Sequence, residues 1–179
     1  MGKIAAGGKA GILAGLIYGI LEAAVVATLL LAFKSRILEV ISSELSSGTT
    51  ANVNSAYNSL VAVDAAIAVI FGIVAGLVLG LLFGAVSDRI PGRPGVTKGL
   101  IFGFLLWLVL HVLADYLENL KYGVTFYLAD IGLGFGTSLA YGALLGIFFE
   151  REVKRLSSPS QGAVAEEGGT DLGGTAPRP

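Results

Sequence analysis

Four long apolar segments constrain the fold of this chain more than any other feature. A helix rises about 1.5 Å per residue, so a hydrocarbon core about 30 Å thick requires about 20 apolar residues. Four segments meet this requirement: Gly11 to Phe33, Leu60 to Val86, Gly99 to Leu117 and Thr125 to Phe149. In lipid each must satisfy its own backbone hydrogen bonds, as a helix does. The sequence therefore predicts an all-α integral membrane protein, folded as a four-transmembrane-helix bundle.

The composition agrees with a lipid bilayer as the main surroundings. Of the 179 residues, 54 % are hydrophobic and only 14 % are charged, unlike an ordinary soluble domain. The 12 Lys and Arg nearly balance the 13 Asp and Glu, so no basic excess indicates nucleic acid as a partner. The absence of cysteine excludes disulfides, thiolate metal sites and cysteine nucleophiles within the chain.

Positive charge is unequally divided between the two predicted membrane surfaces. Eight basic residues flank one surface: Lys3, Lys9, Arg89, Arg93, Lys98, Arg151, Lys154 and Arg155. Three flank the other: Lys34, Arg36 and Lys121. Because cytoplasmic loops carry an excess of Lys and Arg, we expect a cell-membrane protein with both termini and the middle loop in the cytoplasm.

Two polar regions lie outside the predicted spans. In the first outer loop, 34–59, apolar residues recur at helical spacing from Ile37 to Leu45, so we expect the first helix to continue beyond the bilayer. The end of the chain is rich in Ser, Pro, Gly, Glu and Thr. We therefore predict a transmembrane domain at 1–155 and a disordered cytoplasmic tail at 156–179.

Short glycine motifs recur between the two halves of the chain. Gly15–Gly19 (GLIYG) in the first span resembles Gly99–Gly103 (GLIFG) in the third. A second correspondence relates Gly80 and Gly84 of the second span to Gly142 and Gly146 of the fourth. The number of residues that separates the matched glycines differs between the two correspondences. The longer outer loop of the first half accounts for this difference. These matches predict an internal repeat of two helical hairpins, related by a pseudo-twofold axis along the membrane normal.

Small residues also recur every fourth position in all four spans. Such glycine zippers let helix backbones approach closely where lipid supplies no hydrophobic drive for association. We expect them to be packing seams, formed by Gly15, Gly19, Gly72, Gly76, Gly80, Gly84, Gly99, Gly103, Gly134, Gly142 and Gly146.

Five ionisable residues interrupt the apolar spans: Glu22, Asp64, His111, Asp115 and Asp130. Ionisable side chains are costly in hydrocarbon and by default indicate function. Their helical phase follows the glycine stripes, so we expect them to converge inside the outer half of the bundle as a proton or ligand site. Alternatively, the three aspartates lie close enough to the membrane surface to reach water, or Asp64 and Asp130 cap helix ends. Glu22, about 16 Å into its span, needs a partner, for which His111 is the candidate.

Recognisable catalytic and cofactor motifs are absent from the sequence. It has no phosphate-binding loop, H-E-x-x-H or G-x-S-x-G motif, and its single histidine cannot supply bis-histidine haem ligation within one chain. We therefore expect no cofactor and no metal.

Three functions fit these features. The leading prediction is a non-enzymatic membrane protein that works as a homo-oligomer or as an accessory subunit of a membrane-protein partner. The alternative is a small proton-linked transporter or channel that uses Glu22 and His111. The second alternative is an intramembrane enzyme that uses the carboxylates of the outer half.

Overall fold

The structure is a computed structural model that describes residues 2–45, 52–93, 95–114 and 116–157. Its regular elements are helices, in the order α1 (Gly2–Ala32), α2 (Lys34–Leu45), α3 (Val53–Val86), α4 (Gly95–Trp107), a π-helical segment (Leu108–Ala114), α5 (Tyr116–Leu120) and α6 (Val124–Ser157). The described ranges contain no strand. The predicted disordered tail lies outside the described residues from position 158 onward.

Four of these helical stretches are long and apolar enough to cross a bilayer: Gly2–Ala32, Val53–Val86, Gly95–Ala114 and Val124–Ser157. The prediction of four apolar spans is thereby confirmed, and the protein is membrane-embedded. The helices extend beyond the predicted apolar segments. Helix α1 begins well before Gly11, because Gly7 and Gly8 still pack against α3 there.

Helix α2 begins directly after α1, and only Phe33 separates the two helices. The Phe33 N–H donates to the Leu29 carbonyl at 2.9 Å, and the Ile37 N–H donates to the Phe33 carbonyl at 3.1 Å. Ile37 is fully buried beside Tyr57 and Phe126. The amphipathic stretch predicted in the outer loop is therefore helical, and its apolar side covers one end of the helix assembly.

Helices α1 and α3 meet along a seam of glycines with no side chains between the two backbones. Gly7, Gly11 and Gly15 of α1 face Gly84, Gly80 and Gly76 of α3. A Cβ atom built on Gly76 would lie only 2.7 Å from the Cα atom of Gly15. These contacts require glycine because a methyl group would overlap the opposite backbone.

Helices α4 and α6 form a second seam of the same kind. Gly95 and Gly99 approach Gly146 and Gly142, and a Cβ atom on Gly142 would lie 2.9 Å from the Cα atom of Gly103. The two helix pairs then contact each other through side chains. Three α1 alanines pack in one buried cluster with α6 and aromatic residues: Ala6, Ala10, Ala14, Phe83, Phe102, Tyr141, Leu145 and Phe149.

The two seams can be aligned by their contacts. This alignment pairs different glycines from the alignment by sequence motif. A Cβ on Gly7 would meet Gly80 and Gly84, whereas a Cβ on Gly99 would meet Gly142 and Gly146. Gly99 therefore occupies the place of Gly7 in its seam, although the sequence motif aligned it with Gly15. The glycine repeat allows this shift, because glycine recurs every fourth residue from Gly7 to Gly19 and the same spacing reappears two glycines further along α1.

We expect Gly76→Ala to destabilise the protein, since its methyl group would overlap the α1 backbone. Overpacking of this kind costs about 1–3 kcal/mol. The matched control is Gly136→Ala in α6, where an added Cβ has nothing within 4 Å and alanine improves helix propensity by about 1 kcal/mol. Thermal unfolding in detergent should show a lower midpoint for Gly76→Ala only. Equal midpoints would contradict the α1–α3 seam.

Candidate functional site

A partly open polar cavity of about 260 Å³ lies at the end of the molecule that carries the α1–α2 junction and the α5–α6 turn. All four spans contribute to its wall. The lining residues are Glu22, Val26, Leu29, Leu30, Asp64, His111, Asn119, Tyr122, Phe126 and Asp130. Four of the five ionisable residues singled out in the sequence thus line one cavity. The fifth, Asp115, lies outside the described residues.

The imidazole of His111 lies between two carboxylates on different helices. Its Nε2 atom is 3.8 Å from Glu22 Oε1 on α1, and its Nδ1 atom is 3.6 Å from Asp130 Oδ2 on α6. The histidine is only 4 % exposed and Asp130 only 7 %. Both ring nitrogens therefore face an acid inside a largely buried site, so the ring lies between α1 and α6.

Gly134 provides the space that the His111 ring occupies. A Cβ atom built on Gly134 would lie 2.5 Å from His111 Nδ1 and 2.6 Å from Cε1 and Cγ. The ring thus lies directly against the backbone of α6, one helical turn beyond Asp130. The sequence indicates Gly134 as a helix-packing residue, and the structure shows that what it packs against is the site histidine.

His111 belongs to the π-helical segment, Leu108–Ala114, which the sequence did not predict. π-Helical turns are rare and are frequently found at functional sites. Two α6 contacts hold this segment in place. The Trp107 indole N–H donates to the Ile131 carbonyl at 2.9 Å, and the Tyr127 hydroxyl donates to the Val112 carbonyl at 2.8 Å. Hydrogen bonds from the neighbouring helix therefore fix the direction of His111.

Asn119 is a site residue that sequence reasoning missed. Its side-chain amide on α5 donates to Asp130 Oδ2 at 2.9 Å, the same oxygen that faces His111. In the sequence Asn119 stands in a polar connector and carries no signal of a buried role. Its placement depends on the turn after α5, where Gly123 adopts a φ of 105° that disfavours residues with a side chain.

Glu22 and Asp64 complete the acidic wall of the cavity. The Glu22 side chain is 14 % exposed, and Asp64 on α3 is partly buried. Within the ranges that the structure describes, no group of three or more His, Cys, Asp or Glu residues is arranged to hold a metal ion. The chemistry these residues offer directly is proton exchange between carboxylates and one imidazole.

Comparison with known families adds a classification. A family of unknown function, DUF6789, matches residues 7–159. The chain belongs to this DUF6789 family. The match includes all the cavity residues and the glycine seams from Gly7 onward. No curated protein and no solved structure matches the chain significantly.

We expect Glu22 and His111 to be energetically coupled because Glu22 Oε1 and His111 Nε2 lie 3.8 Å apart in a buried site. A double-mutant cycle with Glu22→Gln and His111→Asn, measured as stability in detergent, should give an interaction energy of about 0.5–3 kcal/mol.

The control cycle pairs His111→Asn with Asp88→Asn, which lies just beyond the opposite end of the 34-residue helix α3. Those two effects should add to within about 0.5 kcal/mol. A coupling no larger than this control would mean that Glu22 and His111 do not interact.

Proposed function

We propose that this DUF6789 protein is a non-enzymatic, proton-linked membrane carrier. The observation that supports this proposal is the position of the His111 imidazole between Glu22 and Asp130 beside a polar cavity of about 260 Å³. A carrier of this kind requires an ionisable group deep in the membrane and a polar route to it from one side. The cavity supplies the route and the three side chains supply the exchangeable protons.

The imidazole is suited to pass a proton between the two carboxylates. A neutral histidine accepts a proton at one ring nitrogen while it releases one from the other. The separations of 3.8 and 3.6 Å are slightly longer than a direct hydrogen bond. Transfer therefore needs either a bridging water molecule or a small approach of α1 toward α6.

The opposite half of the molecule is closed, as a carrier requires in one of its two states. Below the cavity the helices are sealed by the glycine seams and by the buried aromatic cluster around Phe83. Each seam locks two helices together: α1 with α3, and α4 with α6. Alternating access would then arise by rocking of one locked pair against the other, with the side-chain interface of α1 and α6 as the moving surface.

This mechanism treats the four spans as one bundle made of two duplicated hairpins. Two glycine seams with equivalent contacts support the duplication, with Gly99 matched to Gly7 rather than to Gly15. The proposed axis runs along the membrane normal and relates α1–α3 to α4–α6.

A second candidate function is the homo-oligomer or accessory subunit that the sequence favoured. One observation supports it: Gly132 and Gly136 lie on an exposed face of α6, and an added Cβ at either position has nothing within 4 Å. This four-residue spacing suits close contact with another membrane helix. The other seam glycines already contact helices of the same chain. The oligomer proposal leaves Glu22, His111 and Asp130 without a role, whereas the carrier proposal gives them one.

An intramembrane enzyme is the third candidate, since Glu22, Asp64 and Asp130 line one cavity. Hydrolysis by paired carboxylates requires two acids that share a proton at close range. His111 separates Glu22 from Asp130, so this pair favours proton relay over a catalytic dyad.

Proton transport tests the carrier proposal. The protein reconstituted in liposomes that contain a pH-sensitive dye should speed the collapse of an imposed pH gradient relative to empty liposomes. Glu22→Gln and His111→Asn should slow this flux by about a hundredfold, the usual effect of removing a positioned proton-transfer group. Glu39→Gln, an exposed carboxylate paired with Arg36 on α2, is the control and should retain the flux.

Flux that is unchanged in Glu22→Gln would reject the carrier. If the same preparation then ran as a stable oligomer or with a bound protein, the accessory subunit would be favoured instead.

Orientation decides which side the cavity faces, and we propose that both termini are cytoplasmic and the cavity faces outward. With no native cysteine, Ser55→Cys near the start of α3 should react with an impermeant thiol reagent in intact cells, and Ser157→Cys at the end of α6 should not. Labelling at Ser157 alone would reverse the assignment.

A further inference from the structure

The end of the molecule opposite the polar cavity carries a marked excess of positive charge. It contains Lys3 and Lys9 of α1, Arg89 and Arg93 of the α3–α4 loop, Lys98 of α4, and Arg151, Lys154 and Arg155 of α6. Among the described residues, only three carboxylates lie there: Asp88, Glu150 and Glu152. Contacts between Lys3 and Asp88, and between the Gly95 N–H and Glu150, bring these segments together at one surface.

Each of the three carboxylates already has a basic partner. Lys3 donates to both oxygens of Asp88 at 2.9 Å, and this hydrogen bond lowers the pKa of the Asp88 carboxyl below its ordinary value. Lys154 lies 2.9 Å from Glu150, and Arg155 lies 2.8 Å from Glu152. These acids are therefore engaged, so they do not neutralise further basic side chains.

Four basic side chains have neither an ion-pair nor a hydrogen-bond partner in the part of the chain that the structure describes: Lys9, Arg89, Arg93 and Arg151. Lys98 differs from them, because its ammonium donates to the Ser87 carbonyl at 2.6 Å. All four are exposed. An excess of four unneutralised cations on one small surface favours an anionic partner by charge complementarity.

The surroundings of these cations indicate lipid as the source of that anion. Lys9 is exposed on the same side of α1 as the exposed Ile12 and Leu13, a position from which a lysine stem can lie along apolar surface while its ammonium reaches the headgroups. Arg151 borders a groove of about 180 Å³ between α4 and α6, which is also lined by Val96 and Ile147 and by the paired side chains of Glu150 and Lys154. A cation beside a groove that also contains aliphatic side chains matches a phosphate headgroup with the start of its acyl chain.

We propose that Lys9, Arg89, Arg93 and Arg151 form a binding surface for anionic phospholipid headgroups, with the groove beside Arg151 holding the start of an acyl chain. The surface is independent of the polar cavity, so it stands whether or not the protein carries protons. Phosphate is the shared chemistry of the ligand, and a lipid is the form that also fills the groove.

The test measures which lipids remain bound. The full chain is reconstituted in vesicles of phosphatidylcholine and phosphatidylglycerol, extracted in mild detergent, and the bound lipids are quantified by mass spectrometry. The wild-type protein should be enriched in phosphatidylglycerol over the vesicle composition. The variant K9Q/R89Q/R93Q/R151Q should lose this enrichment by at least about fivefold, as expected from the attraction of even one basic residue to an anionic surface.

The matched control removes three positive charges from engaged side chains that do not line the groove, as K3Q/K98Q/R155Q, and is compared with the triple variant K9Q/R89Q/R151Q. The control should retain more enrichment than that triple variant. Equal loss in both would show a diffuse effect of net charge and overturn the assigned surface, as would the absence of enrichment in the wild type. Competition by inorganic phosphate at the same concentration as the lipid would assign the surface to free phosphate instead.

If the variants with several substitutions do not fold, two single substitutions can be compared instead. Arg151→Gln and Arg155→Gln change the same residue type one helical turn apart on α6, and only Arg155 has a carboxylate partner among the described residues. Phosphatidylglycerol should raise the thermal midpoint of Arg155→Gln more than that of Arg151→Gln. The opposite order would overturn the proposal.

Discussion

Backbone contact between glycines is the interaction on which the rest of this structure depends. Lipid gives no hydrophobic reward for bringing two apolar helices together, so association depends on close packing. Gly11 and Gly76 allow α1 and α3 to touch over most of their length, and Gly99 and Gly142 do the same for α4 and α6. Packing of side chains such as Ala10 and Leu145 then joins two pairs that are already rigid.

The polar cavity arises where the second seam departs from the first. When Gly99 is matched to Gly7 by its contacts, Trp107 stands where α1 has Gly15, and His111 stands where it has Gly19. The α1–α3 pair continues its glycine contact through these layers, whereas the α4–α6 pair must accommodate an indole and an imidazole. Their hydrogen bonds and the π-helical segment replace backbone contact, so one half of the protein is sealed and the other holds the exchangeable groups.

The two ends of the molecule consequently carry opposite chemistry. At one end the carboxylates Glu22, Asp64 and Asp130 surround a cavity, and at the other Arg89 and Arg151 belong to a surface with more cations than acids can neutralise. An acidic interior on one side suits exchange with water and small cations, while an exposed basic surface suits phosphate headgroups. This difference in charge between the two ends would hold the protein in one orientation in the membrane. The cavity would then face a single compartment.

The sequence by itself determined the four spans and indicated four ionisable residues of the cavity, because apolar length and the cost of intramembrane charge are local properties. Glu22 and His111 could be paired from their depth and their helical phase relative to the glycine repeats. The pairing of glycines in the α4–α6 seam could not be predicted, because a regular glycine repeat looks the same after a shift by two glycine positions. Only the tertiary structure set the π-helical direction of His111, the ring space at Gly134 and the Asn119 hydrogen bond. Each depends on contacts with another helix, which no local pattern in the chain records.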